Sequence, residues 1–311
     1  MNIPKVSEEE ISLVGPILQR LMWADVKTRE KIQKYGVNVL PINFYSEIPS
    51  IAEINRSYEY CDDEIPYLNL DLFQDDLILT TLKRITEFSI EFNPEFEGNE
   101  DNCVDFFWEN SQFSYCDPMA YYCFVRDIKP NNIVEIGGGF STLVGLNALE
   151  MNNKGIINCI EPFPRHFLSK IKKLNLIQKK AQDITRDFIN SQLDEGDILF
   201  IDSTHTVKTG SDCLHIYLRL LPYITKDIYV HVHDIFLPDG MPKEWLLNKQ
   251  IYWTEQYLLM ALIIDNPKIE VIYSSHYNSM KNKNNLETFM GGKYPIGGSS
   301  FWFKYNGSNS L

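Results

Sequence analysis

The stretch Asn-Ile-Val-Glu-Ile-Gly-Gly-Gly-Phe-Ser-Thr at 132–142 constrains this chain more than any other. Ile133, Val134 and Ile136 form a short apolar run, three glycines end it, and a helical pattern opens at Ser141 and Thr142. A buried strand, a tight turn and a helix start account for that order. Glycines at 137, 138 and 139 let a ligand approach the backbone where side chains would block it. From here on, strand and helix patterns alternate, with strands expected at 132–137, 155–161, 176–180, 197–202, 227–233, 269–274 and 299–305. Helices are expected at 141–151, 164–173, 185–192, 208–221 and 243–265, and the Asn-, Lys- and Gly-rich segment 276–298 reads as a mobile loop. Such alternation predicts an α/β fold on a mostly parallel sheet, whose right-handed crossovers gather the strand ends on one edge.

Residues 1–104 have a different grammar: three glycines (15, 36 and 98) and no strand–glycine–helix unit. Ser7 before three glutamates marks a helix start, followed by Ile11, Leu13, Val14, Ile17, Leu18 and Leu21 at helical spacing. A second helix is expected at about 24–35, a proline-punctuated loop at 37–70, and a helix at 75–91 burying Leu77, Leu79, Leu82, Ile85 and Phe88. The expected division is therefore a helical extension at 1–104, serving as a substrate cap or a homodimer contact, and a cofactor-binding domain at 105–311. Residues 101–127 are rich in aromatics, which read mostly as a helix packed on the sheet, with Phe113–Asp117 near the mouth of the site.

A formal charge of −13 argues against a nucleic-acid partner, which needs clustered Lys and Arg. No apolar run reaches eighteen residues, and the first residues lack the basic-then-apolar plan of a signal peptide, so a cytoplasmic protein with no membrane contact is expected. The six cysteines contain no C-x-x-C pair and read as free thiols.

Two ligand readings compete for the glycine turn. A dinucleotide fingerprint needs a sixth-position glycine, where this chain has Thr142, and Glu135 inside the strand is foreign to it. No Tyr-x-x-x-Lys pair lies on the helix after the fourth strand, which further weakens a nicotinamide dehydrogenase. Glu161 ends the second strand about twenty residues past the glycines, where a carboxylate can accept both ribose hydroxyls. Asp183 follows the third strand. The fourth strand ends at Asp202-Ser-Thr-His205 and the fifth at His231-Val-His233-Asp234. Two carboxylates and two histidines on one rim suit Mg²⁺ or Mn²⁺. His205 is the candidate base, since imidazole titrates nearest neutrality. His231 and His233 share a strand face, so one of them can be a packed histidine, and Asp234 points away from them if the strand stays regular.

The turn resembles motif I of the class I S-adenosylmethionine-dependent methyltransferases. Residues 105–305 resemble the cephalosporin-hydroxylase-like and macrolide-sugar O-methyltransferase group. The carriers are VEIGGGFST (134–142), FIDSTHTVKTGSD (200–212), HVHDIFLP (231–238) and GGSSFWFKY (297–305). The resemblance implies a Rossmann-like sheet with an antiparallel last strand. It also implies S-adenosylmethionine held by Glu135, Gly137, Gly138, Gly139, Ser141, Thr142, Glu161, Asp183 and Asp202, with Asp183 at the adenine. Asp202 and His205 are similar to a metal-ligand and base pair, giving Asp202, Asp234 and His205 as metal ligands and His205, Asp202, Asp234 and His233 as the catalytic set. Catechol-type relatives carry adjacent acid and amide ligands after strand 5, whereas Ile235 follows Asp234 here. The implied reaction is O-methylation of a small polar molecule such as a sugar or glycan precursor. An N-methyltransferase, a natural-product tailoring methyltransferase and a non-catalytic cofactor binder stay open.

Overall fold

The computed structural model describes residues 5–307. The contacts divide the chain into two units between Cys61 and Asp62.

In the first unit, α1 (Glu8–Leu21) opens on a capping box: the Ser7 hydroxyl accepts from the Glu10 amide and the Glu10 carboxylate accepts from the Ser7 amide. Helix α2 (Val26–Gln33) is capped by Asp25. Two short helices, α3 (Ile51–Arg56) and α4 (Tyr58–Cys61), replace part of the expected loop. Ser50 supplies a second capping box there. Among the unit's described residues only Ile54 is buried.

The second unit begins with α5 (Asp75–Thr86), whose buried face is Ile78, Thr81, Leu82 and Ile85. Leu82 and Ile85 belong to the core that also holds β-sheet and helix residues. Next come α6 (Asp117–Ile128), β1 (Asn132–Ile136), α7 (Phe140–Asn152), β2 (Ile156–Ile160), β3 (Leu174–Ile177), α8 (Arg186–Ser191) and β4 (Ile198–Ile201). The chain continues through α9 (Asp212–His215), β5 (Ile228–Val232), α10 (Glu255–Ile263), β6 (Ile269–Ser274), α11 (Ser275–Lys281), α12 (Lys283–Met290) and β7 (Phe301–Tyr305).

The seven strands form one sheet in the order β3-β2-β1-β4-β5-β7-β6. Strands β1 to β5 are parallel, and β7 runs antiparallel to both β5 and β6. The expected Rossmann-like α/β sheet with an antiparallel last strand is thus present. Side chains alternate across it, as the pleat requires. Phe200 and Trp302 pack with the α6 aromatics Tyr121 and Phe124 on one face. Val134, Ile201, Val230, Phe301 and Phe303 fill the other. Phe124 stacks on Trp302 at 4.2 Å, and complete burial of a side chain of that size contributes about 1.5–3 kcal/mol.

Three expected elements differ. The 164–173 helix is only a 3₁₀ turn at Leu168–Lys170, and the chain is already extended at Ile171. The 243–265 helix breaks at Gln250, whose φ of 55° is left-handed, and resumes at α10. The 276–298 segment is not a loop throughout: α11 and α12 occupy 275–290. Ser274 caps α11, and Leu286, Phe289 and Met290 reach the core at helical spacing. Among the described residues no helix is long and apolar enough to cross a membrane.

Candidate active site at the strand ends

At the C-terminal end of β1, Gly137 has φ +85°, and a Cβ there would lie 1.9 Å from the Asp202 carbonyl oxygen. A Cβ on Gly138 would lie 2.2 Å from the Cys159 sulfur, whereas one on Gly139 meets nothing within 4 Å. The first two glycines therefore seat the turn on β2 and β4, and the third faces open space. That is a cradle a nucleoside cofactor can enter. Beneath it, Glu135 accepts from Ser141 Oγ at 2.7 Å and Thr142 Oγ1 at 2.6 Å. Thr142 Oγ1 in turn accepts from the Gly139 amide at 3.1 Å. Burial pushes the Glu135 carboxyl up to about 8 against the pull of these two hydroxyls. Glu135, Ser141 and Thr142 are buried and brace the turn from below, so they shape the cradle and do not line it. Glu161 accepts from the amides of Gly138 (3.3 Å) and Phe163 (2.7 Å) and stays half-exposed beside the glycines. Asp183 lies exposed in the 3₁₀ turn Ala181–Asp183 on the same rim.

The second half of the edge is built from β4, β5 and three distant segments. The Asp202 amide donates to Ile136 O at 2.8 Å, tying the two halves together. His205 has φ +56°, and its carbonyl accepts from Thr254 N and Glu255 N. Asp234 also adopts a left-handed backbone, φ +57°. The strand therefore does not stay regular past Val232. The Asp234 carboxylate turns back to within 3.6 Å of His233 Nδ1, correcting the opposite-face expectation.

The charges interlock. His205 Nδ1 lies 2.7 Å from Glu255 Oε2, and its Nε2 lies 3.2 Å from Asp202 Oδ1 and 3.6 Å from Asp234 Oδ2. His233 Nε2 lies 3.3 Å from Asp117 Oδ2, and its Nδ1 lies 3.5 Å from Asp202 Oδ1. Burial alone lowers the affinity of His205 for a proton, but its bonds to Asp202 and Glu255 outweigh that and push it up to about 10. Burial opposes a charge on His233 as well, and Asp234 and Asp202 override it, raising the group well above its ordinary value. Partial burial raises Asp202, yet the two imidazoles hold it far below the carboxylate range. With no other cation at the carboxylates, His205 is protonated at neutral pH and is not a base in that state. His231 is the packed histidine of the pair: it shares a hydrogen bond with Ser300 Oγ at 2.7 Å, and burial drives it down to about 3.

Two participants were missed as site residues. Asp117, at the start of α6, accepts from the amides of Ser299 and Ser300 and from Ser275 Oγ. Gly298 (φ +98°) packs so close to it that a Cβ would sit 2.4 Å from Asp117 Oδ1, which explains the Gly-Gly-Ser-Ser before β7. Glu255 accepts from Ser203 Oγ and Tyr217 Oη besides holding His205. Their partners lie 38 to 183 residues away in the chain, so no local pattern announces them.

Ligand atoms of Asp202, His233 and Asp234 lie within 4.8 Å of one another, a set able to hold a divalent cation. Trp253, half-buried, sits 4.3 Å from the His205 ring and meets Trp245 edge-on at 5.5 Å, giving this rim an aromatic wall.

A methyltransferase-domain family model matches residues 134–235, the span from β1 through the end of β5. An uncharacterised protein of Archaeoglobus fulgidus is 32% identical over 163 residues, covering 49% of this chain and 72% of that one. Among solved structures, an O-methyltransferase from Bacillus cereus in complex with S-adenosylhomocysteine is 14% identical, covering 77% of this chain and 98% of that one, at a TM-score of 0.36. The plantazolicin methyltransferase BpumL, also in complex with S-adenosylhomocysteine, is 12% identical over 96% and 98% of the two chains, at 0.36. This chain belongs to the class I S-adenosylmethionine-dependent methyltransferases.

Proposed function

We propose that the protein is a divalent-cation-assisted O-methyltransferase acting on a hydroxyl of a small polar molecule, with a sugar or glycan precursor favoured. The observation that carries this reading is the convergence of Asp202, His233 and Asp234 within 4.8 Å at the ends of β4 and β5, where the Asp202 carbonyl also packs on Gly137. In it, Gly137–Gly139 receive the amino-acid end of S-adenosylmethionine, Glu161 the ribose hydroxyls and Asp183 the adenine. A cation bound by Asp202, His233 and Asp234 would supply the charge that lowers the pKa of the acceptor hydroxyl. The donor set fits: two carboxylates and a buried imidazole nitrogen, His233 Nδ1, that has no hydrogen-bond partner.

The chain's own residues do the rest. His205 Nε2 faces the same two carboxylates and is the group placed to hold the hydroxyl proton. A cation on Asp202 would take away the partner of His205 Nε2 and free that nitrogen to accept, while Glu255 keeps hold of Nδ1. The acceptor oxygen attacks the methyl carbon in line, the S–CH₃ bond breaks, and the sulfonium leaves as neutral S-adenosylhomocysteine. Trp253 and Trp245 offer a flat apolar wall beside polar ligands, a combination that suits the C–H face and the hydroxyls of a sugar ring. A non-catalytic cofactor binder has no use for two histidines bracketed by four buried or half-buried carboxylates.

Calorimetric titration with S-adenosylhomocysteine, followed by mass-spectrometric screening of polyhydroxylated acceptors with Mg²⁺ or Mn²⁺ and with EDTA, tests the reading. Micromolar binding and EDTA-sensitive methyl gain are expected. Turnover indifferent to EDTA would remove the cation, and no cofactor binding would remove the whole proposal.

A further inference from the structure

We infer that the cation site is a mixed nitrogen–oxygen site that selects a first-row transition ion such as Mn²⁺ over Mg²⁺, with His233 Nδ1 as the nitrogen ligand and Asp117 aiming it. This rests on the cation-assisted reading above. The two histidines of the rim are not equivalent. His205 has both ring nitrogens engaged, Nδ1 with Glu255 at 2.7 Å and Nε2 with Asp202 at 3.2 Å. His233 is held on one side only: Asp117 takes Nε2 at 3.3 Å, while Nδ1 is buried without a hydrogen-bond partner and faces Asp202 Oδ1 and Asp234 Oδ2 at 3.5 and 3.6 Å. A buried nitrogen that faces two carboxylates without hydrogen-bonding either calls for an explanation. A metal ligand supplies one.

Asp117 decides which nitrogen is free. Its side chain is 3% exposed, and three donors besides His233 lock it: Ser275 Oγ at 2.8 Å, Ser299 N at 2.9 Å and Ser300 N at 2.9 Å. A carboxylate so fixed takes the Nε2 hydrogen and leaves the Nδ1 lone pair pointing into the cluster, the carboxylate–histidine–metal arrangement. The other two ligands are aimed as well. Ser299 Oγ occupies Asp234 Oδ1 at 2.9 Å, so Oδ2 faces inward. Three oxygen donors suit Mg²⁺, but an imidazole in the set shifts the preference to transition ions.

The test uses the full-length protein, stripped with EDTA and saturated with S-adenosylhomocysteine, titrated with MgCl₂ and MnCl₂ by calorimetry and, for Mn²⁺, by loss of the free-ion electron paramagnetic resonance signal. Mn²⁺ should bind roughly tenfold or more tighter than Mg²⁺. His233→Glu supplies an oxygen ligand in place of the nitrogen and should collapse that ratio towards one. Asp117→Asn should weaken Mn²⁺ binding by about 10–100-fold with S-adenosylhomocysteine affinity kept, and His205→Gln should weaken it less. Equal affinities for the two ions, or a ratio unmoved by His233→Glu, overturns the inference and leaves the cation reading standing. Binding of neither ion to a protein that still takes S-adenosylhomocysteine overturns both. Should Asp117→Asn fail to fold, the His233→Glu ratio still decides.

Discussion

The glycine turn and the carboxylate–histidine rim share one sheet edge, but they are assembled differently. The turn is local: Glu135 is satisfied by residues six and seven positions on, and Gly138 by Glu161, 23 positions on. The rim is made by the sheet bringing distant segments together, with His205 held by Glu255 and His233 by Asp117, 50 and 116 positions away. The glycine turn is therefore braced mostly within one β–α–β unit, with Asp202 as its one distant neighbour, while the rim needs α6, β4, β5, α10 and the start of β7 in place at once. The electrical states differ too: the cradle rests on a carboxyl that burial keeps neutral, and the rim on carboxylates that imidazoles keep ionised.

Asp202 is where the halves touch, and its replacement should give the largest effect. Asp202→Asn removes a charge from the rim but leaves the backbone carbonyl that packs on Gly137. Turnover should fall by about 10²–10³-fold, while calorimetry shows S-adenosylhomocysteine affinity little changed. An equal loss in both measurements would mean the halves are not separable and would place Asp202 in the cofactor site.

The glycines divide the cradle further. Gly137→Ala combines φ +85° with a Cβ 1.9 Å from a backbone oxygen, an obstacle no rotamer relieves. It should destabilise the fold by about 2–4 kcal/mol, read as a lowered melting temperature. Gly139→Ala meets open protein space. It should leave the melting temperature unmoved yet weaken S-adenosylhomocysteine by about tenfold, or 1.4 kcal/mol. A Gly139→Ala protein that binds normally would show that the cofactor does not approach the third glycine.

The same contrast explains what could be read from the chain. The strand–glycine–helix unit, Glu161 and the seven strands are written in short-range patterns, and the structure has them. Asp117 was visible only as a residue near the mouth, and Glu255 only as part of an expected helix, because their partners come from other elements. The Asp234 expectation assumed a regular strand, and one left-handed residue reverses it. Asn and Lys dominated the reading of 276–298, although Leu286, Phe289 and Met290 stood there at helical spacing. The break at Gln250 carried no proline or glycine signal, yet it leaves the half-buried Trp253 against His205.

That tryptophan offers a subtler probe of the acceptor half. Trp253→Ala removes a stacking surface and no charge, so the acceptor KM should rise about two- to tenfold with kcat and S-adenosylhomocysteine affinity kept. A fall in kcat with KM unchanged would instead make Trp253 a support for His205 and not part of the acceptor wall.

The smallest effect concerns the cradle's neutral acid. Glu135 has its pKa raised from 4.5 to about 8 in the fold. Between those values the unfolded chain has lost the proton and the folded chain keeps it, so the folded state binds more protons. Stability from this group therefore falls as pH rises from 4.5 towards about 8 and is level beyond. Gln at 135 keeps the shape and a hydrogen-bonding amide but cannot titrate. The difference in unfolding free energy between wild type and Glu135→Gln, followed by urea denaturation across that window, should decline with pH. The histidines of the rim do not confound it: the His205 contribution declines between 6.5 and about 10 in both proteins and cancels in the difference, because the variant retains them. A flat difference would mean that Glu135 is ionised in the fold, with Ser141 and Thr142 both donating to a carboxylate. The contrast between a neutral cradle and a charged rim would then fail, and the whole edge would be one anionic surface waiting for the sulfonium and the cation together.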